Sequence, residues 1–110
     1  MEFETAIQSQ LDFITTAIKA NTNPLSIYLF GSYVNGTPNA DSDLDVYVVV
    51  PDSEDNLTEL HAKIRIDLAK IRKKSMPLDL LIGKKSSFEN RKNRLTLEKI
   101  IANEGIKIYG

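Results

Sequence analysis

At 110 residues the chain is sized for one domain built around a single core. Its 42% hydrophobic and 26% charged residues are the balance of a folded globular protein and exclude a disordered chain. A formal net charge of -1 supplies no global field towards nucleic acid or an anionic membrane, and the lack of cysteine excludes a disulfide framework, a thiolate metal site and a thiol nucleophile.

The amino terminus carries acidic residues where a secretory signal would be basic, and no apolar run is long enough to span a bilayer, so the expected location is cytoplasmic. Phe3, Ile7, Leu11, Ile14 and Ile18 recur every three or four residues and predict an amphipathic helix over about residues 2 to 20. Its apolar face is extensive enough to make a homo-oligomer through this helix an option. Asn21 to Pro24 breaks the helix, because the residue before proline is pushed out of the helical region.

Leu25 to Phe30 is short, apolar and rich in β-formers, and Gly31 ends it, which predicts a buried strand entering a tight turn. The polar stretch Gly31 to Ser42 has room for one short helix started by Ser32. Leu44 to Val50 is strongly β-branched, as a central strand covered on both faces would be.

After a loop at Pro51 to Asn56, Leu57, Leu60, Ile64, Leu68 and Ile71 line one face of a helix over about 56 to 73. Leu78 to Ile82 predicts a third strand, Leu95 to Ala102 a last helix, and Ile106 to Tyr109 a terminal strand after Gly105. The expected order is α-β-α-β-α-β-α-β, in one domain covering residues 1 to 110.

Three aspartates sit on or beside apolar strands, where an unpaired carboxylate is costly. Asp43 and Asp45 are two apart on an extended chain, so their side chains leave one face about 6 to 7 Å apart. At that distance two carboxylates repel by roughly 3 kcal/mol at an effective dielectric of about 20, which asks for a cation between them. A hard divalent ion such as magnesium suits carboxylate oxygens combined with water and substrate phosphate. Asp79, between Leu78 and Leu80, projects from a neighbouring strand and is placed to serve as general base or third ligand. The competing reading of Asp41 to Asp45 is a solvated turn, and of Asp79 an edge-strand aspartate facing water.

The turn before them weighs against that reading. Phe30-Gly31-Ser32 ends a strand at a glycine and opens a helix with a serine, aiming backbone amides and a hydroxyl at one point where an anion can dock. It is neither a P-loop nor a dinucleotide fingerprint, since no Gly-Lys-Ser or Gly-Lys-Thr follows and the third glycine is missing.

Taken together, Gly31-Ser32, Gly36-Thr37, Ser42-Asp43-Leu44-Asp45 and the later Asp79 resemble the minimal nucleotidyltransferase family of the DNA polymerase beta superfamily. The resemblance spans nearly the whole chain and implies an α/β (α+β) nucleotidyltransferase fold, a small mixed sheet flanked by helices. It implies that Asp43, Asp45 and Asp79 are catalytic and hold Mg2+, and that Gly31 and Ser32 bind the nucleotide, ATP or another nucleoside triphosphate. The reaction implied is in-line transfer of a nucleoside monophosphate, AMP by expectation, to an acceptor hydroxyl with pyrophosphate leaving.

Small proteins that resemble this one are often paired with a helical HEPN protein, as antitoxins of HEPN/MNT toxin–antitoxin systems. A chain this short is expected to need such a partner to complete the acceptor site, which also weighs against modification of a small molecule. One departure stands out: Tyr33, Val34 and Asn35 occupy the stretch where many relatives place an arginine after the Gly-Ser. Lys84 and Lys85, or Arg91 and Arg94, are candidates to supply that charge. The alternative function is a non-catalytic module of the same fold that neutralises or scaffolds a partner by contact.

Other residues read more simply. His61 is a boundary residue on a helix, and Tyr28 and Phe30 are core. Lys70, Arg72, Lys73 and Lys74 form a solvated helix end, with a partner or RNA contact as the second reading. Tyr47 shares the face of Asp43 and Asp45, where it either packs or lines the pocket.

Overall fold

A computed structural model describes residues 5–36, 43–71 and 76–110. The elements are α1 (Thr5–Asn21), β1 (Ser26–Phe30), α2 (Ser32–Asn35), β2 (Leu44–Val50), α3 (Leu57–Ile71), β3 (Leu78–Lys84), α4 (Lys85–Arg91), α5 (Leu97–Glu104) and β4 (Ile106–Tyr109). The four strands form one mixed sheet in the order β3-β2-β1-β4, with β1 antiparallel to both neighbours and β2 parallel to β3. A parallel pair needs a crossover, and α3 supplies it. This is the expected α+β architecture.

The period of two along each strand sorts side chains onto two faces. Ile27, Leu29, Leu44, Val46, Val48, Val50 and Leu80 share a core with Ile7, Leu11, Ile14, Ala17 and Ile18 of α1 and Leu60, Ile64 and Leu68 of α3. The face of α1 read from its periodicity is therefore buried within the chain. Phe3 lies outside the described residues.

The opposite face carries a smaller cluster in which Tyr47 and Val49 meet Phe88 of α4 and Ile101 of α5, with Tyr28, Phe30 and Leu81 packed against them. β2 is thus the doubly covered central strand that its β-branched run implies, each residue but Asp45 being buried.

β3 is an edge strand whose outward carbonyls are satisfied by α3. The Leu44 amide donates to Pro77 O, so the odd-numbered residues of β3 face β2 and the even ones face outward. Arg65 Nη2 donates to Leu78 O at 2.7 Å and His61 Nε2 donates to Leu80 O at 3.0 Å. Since a carbonyl only accepts, His61 carries its proton on Nε2 here. It is a structural cap on an otherwise open edge.

The structure departs from the sequence reading at α4, at the start of the last helix and at Ile71. α4 was not expected at all, and its start is held from a distance: Asp52 accepts from the Ser86 amide at 2.9 Å. The last helix begins at Leu97 rather than Leu95, because the Thr96 hydroxyl accepts from the Lys99 amide as an N-cap, leaving Leu95 outside and 96% exposed. Ile71, at the end of the α3 face, is also exposed.

Candidate active site at the carboxylate end of the sheet

β1 ends at Phe30, which pairs with Asp45 of β2, and Asp45 pairs in parallel register with Asp79 of β3. Three adjacent strands therefore bring Phe30, Asp45 and Asp79 to one level of the sheet and onto one face. Two predicted residues, 34 positions apart in sequence, become neighbours through this register alone.

Gly31 follows at once, with φ 78° and ψ -151°, a conformation that L side chains rarely adopt. A Cβ built on it would lie 2.1 Å from Asp45 Oδ2. The glycine is required twice over, by its backbone angles and because the Asp45 carboxylate lies directly on it. The chain then makes the single turn of α2, with the Val34 and Asn35 amides both donating to Gly31 O at 3.0 Å, and leaves through Gly36 in the left-handed region. Ser32 is half-buried at the start of this turn, and no described residue hydrogen-bonds its hydroxyl. Thr37, Asp41 and Ser42 lie outside the described residues.

Asp45 is half-buried, and its carboxyl is held above the ordinary carboxylate range by burial first, then by Asp79, then by Asp43. The other two predicted aspartates thus both act on Asp45 through space. Asp43 and Asp79 are exposed. Among the described residues the ion pairs are Lys63–Glu59, Arg91–Glu98 and Lys92–Glu89, so none of the described cations pairs with the three aspartates. No group of three or more His, Asp or Glu side chains among the described residues is gathered tightly enough to hold a metal as it stands. The aspartates fit a divalent ion by chemistry, as hard oxygen donors with Asp79 and Asp43 both raising Asp45, but the described side chains are not gathered into a closed ligand cage.

The structure also decides where the missing positive charge does not come from. Lys84 pairs with Val50, five residues along the strand from the Asp45–Asp79 level, or about 16 Å at ~3.3 Å per residue. Lys84 and Lys85 therefore stand at the far end of the sheet. Arg91 is committed to Glu98, Nε to Oε1 at 3.1 Å.

That pair belongs to a feature the sequence did not reveal. Tyr47 packs next to Asp45 on the same face, buried against Phe88, and its hydroxyl donates to Glu98 Oε2 at 3.3 Å. Burial and then the Glu98 charge push the Tyr47 hydroxyl up to about 12. Burial would raise Glu98 in turn, but its own backbone amide, Arg91 and Tyr47 together hold it below the ordinary range. Tyr47 is therefore a packed residue with a polar anchor, as the simpler of its two readings had it. The signal available was Glu98 two residues after the Thr96 cap, in the first turn of α5, where a carboxylate is favoured.

The nucleotidyltransferase domain family matches residues 12–108. No curated protein matches the sequence. Among solved structures, the chain is similar to one described as a toxin–antitoxin with AMP-PNP, at 25% identity over 90% of this chain and 72% of that one, with TM-score 0.56. A mutant form of the toxin–antitoxin MntA-HpeT is similar at 24% identity, with the same coverage and TM-score 0.55. A candidate nucleotidyltransferase from Sulfolobus solfataricus shares the fold at 16% identity, covering 98% of this chain and 89% of that one, with TM-score 0.58. With the family match extending over nearly the whole sheet and both helical layers, the chain belongs to the nucleotidyltransferase domain family.

Proposed function

We propose that this chain is a metal-dependent nucleotidyltransferase that transfers a nucleoside monophosphate, AMP from ATP, to a hydroxyl on a partner protein, and that it serves as the antitoxin of a toxin–antitoxin pair with a HEPN-type partner. The observation that carries the catalytic part is the meeting of Asp45, Asp79 and Gly31 at one level of an open sheet face in a member of this family. The likeness to a toxin–antitoxin described with AMP-PNP supports the nucleotide and the kind of partner.

Asp43 and Asp45 would hold Mg2+, which supplies charge neutralisation at the reacting phosphate when bound. Asp79, on the neighbouring strand, accepts the proton of the attacking hydroxyl. The hydroxyl oxygen forms its bond to the α-phosphorus as the bond to the departing pyrophosphate breaks, so the protein's work is positioning and charge. Gly31 lets the chain lie against the Asp45 carboxylate, and the Ser32 hydroxyl beside it would donate to a phosphate oxygen.

The contact-only reading draws on the missing arginine and the open carboxylate arrangement. The two readings separate in one experiment: the chain, ATP and Mg2+ are incubated with the protein encoded beside it, and that protein's intact mass is recorded. A gain of one or more AMP units, absent with D45N, is the result expected. An unchanged mass, with the partner nevertheless bound and neutralised, would replace transfer by contact.

A further inference from the structure

We propose that a lysine-lined cavity at the opposite end of the same sheet face is a second binding site, built for a compact polyphosphate anion. The cavity, about 360 Å3, is bounded by Lys85, Phe88 and Lys92 of α4, Tyr28 of β1, Val49 of β2 and Lys107 of β4. Val49 is four residues from Asp45 along β2, about 13 Å, and the buried Tyr47–Glu98 contact lies between. The cavity is therefore separate from the carboxylate site.

Its charge is the first argument. Three lysines line it against one acid, Glu89, in a molecule whose net charge is -1. Glu89 is paired to Lys92 at 2.6 Å, while Lys85 and Lys107 have no ion-pair partner among the described residues. Outside the cavity, Asp52 accepts from the Ser86 amide and is held below its ordinary range first by that bond, with smaller contributions from Lys84 and Lys85. An anion with charge on several oxygens can accept from both of these ammonium groups beside the one concavity.

The aromatic floor is the second argument, and it selects against a base. Tyr28 stacks on Phe88 with ring centroids 5.7 Å apart and 24° between planes, and Lys107 Nζ lies 5.7 Å from the Tyr28 centroid. The Tyr28 ring is thus engaged by both its neighbours, and Phe88 is 4% exposed, so neither ring is free to stack on a nucleobase. The ammonium groups remain as the recognition elements. The ligand class is the phosphate chain itself, either free pyrophosphate or the tail of a nucleotide.

The test is calorimetric titration of inorganic pyrophosphate into the full chain in EDTA, repeated with K85Q/K107Q, K85R/K107R and D43N/D45N. Both lysines are exposed, and thermal melting confirms that each variant folds. Binding is expected in the wild type and in D43N/D45N, weakened roughly tenfold or more in K85Q/K107Q and retained in K85R/K107R. Titration of ATP and of adenosine separates the sources: ATP binding with the same lysine dependence assigns the site to nucleotide tails as well, and pyrophosphate binding alone restricts it to the free anion. No pyrophosphate binding, binding indifferent to the lysines, or adenosine binding as tightly as ATP would each overturn the proposal.

Discussion

Gly31 and Asp45 constrain each other through both backbone angle and close approach. Gly31→Ala places a methyl group 2.1 Å from the Asp45 carboxylate and forces a positive φ on a residue with a Cβ. The expected cost is about 1–2 kcal/mol from the backbone, with further loss from displacing the carboxylate, read as a lower midpoint in urea unfolding. Asp45→Asn acts in the opposite direction when no divalent ion is added. The Asp45 carboxyl holds its proton more tightly in the folded chain than in the unfolded one, so its contribution to stability is present at acidic pH and is lost as pH rises through its raised pKa. Removing the charge should therefore stabilise the protein at neutral pH, by about 1 kcal/mol or less after solvent screening, and should abolish any stabilisation by Mg2+. Thermal melts of the two proteins with and without Mg2+ check both signs; a less stable D45N in EDTA would contradict the account. Tyr47 gives an alkaline counterpart. Its hydroxyl is pushed up to about 12, so the stability it contributes is complete below pH 10 and declines above that. Tyr47→Phe should lose about 1 kcal/mol at neutral pH and show a shallower alkaline decline.

At the level of single elements, β3 is held from both sides. Its Gly83 lies under the Tyr47 side chain, where an added Cβ would come 2.1 Å from the hydroxyl oxygen. Gly83→Ala should cost about 1–3 kcal/mol by overpacking, and the double variant Gly83→Ala with Tyr47→Phe should recover part of it, which a double-mutant cycle measures. The strands themselves were legible from the sequence because each is short, apolar and punctuated: Gly31 ends β1, and the β-branched run of β2 can only be a doubly buried strand. The faces of α1 and α3 were equally plain, since 3.6-residue periodicity records burial directly. α4 was hidden because its only buried apolar residue is Phe88 and its start is capped by Asp52, 34 residues away, so no local pattern marks it. Thr96 did mark the start of α5, but the apolar Leu95 drew the boundary forward to a residue that is 96% exposed.

Across the whole molecule, one sheet face is closed by α1 and α3, while the other is covered by α4 and α5 only over Tyr47, Val49 and their neighbours. Among the described residues, α4 and α5 leave the end that carries the carboxylates uncovered. The identities of Asp43, Asp45 and Asp79 were readable as costly charges on apolar strands, but their meeting depends on β2–β3 register, which a sequence does not print. The same register removed Lys84 and Lys85 from the site, since position along a strand fixes distance. Among the described residues no helix is long and apolar enough to cross a membrane. Among the described residues no lysine or arginine forms an ion pair with Asp43, Asp45 or Asp79, and the proposed function has this site completed by a cation and a ligand. Calorimetric titration of ATP into the wild type and D43N/D45N, with and without Mg2+, tests this most directly. The account predicts Mg2+-dependent ATP binding that the double substitution abolishes. Mg2+-dependent binding that survives in D43N/D45N would contradict it.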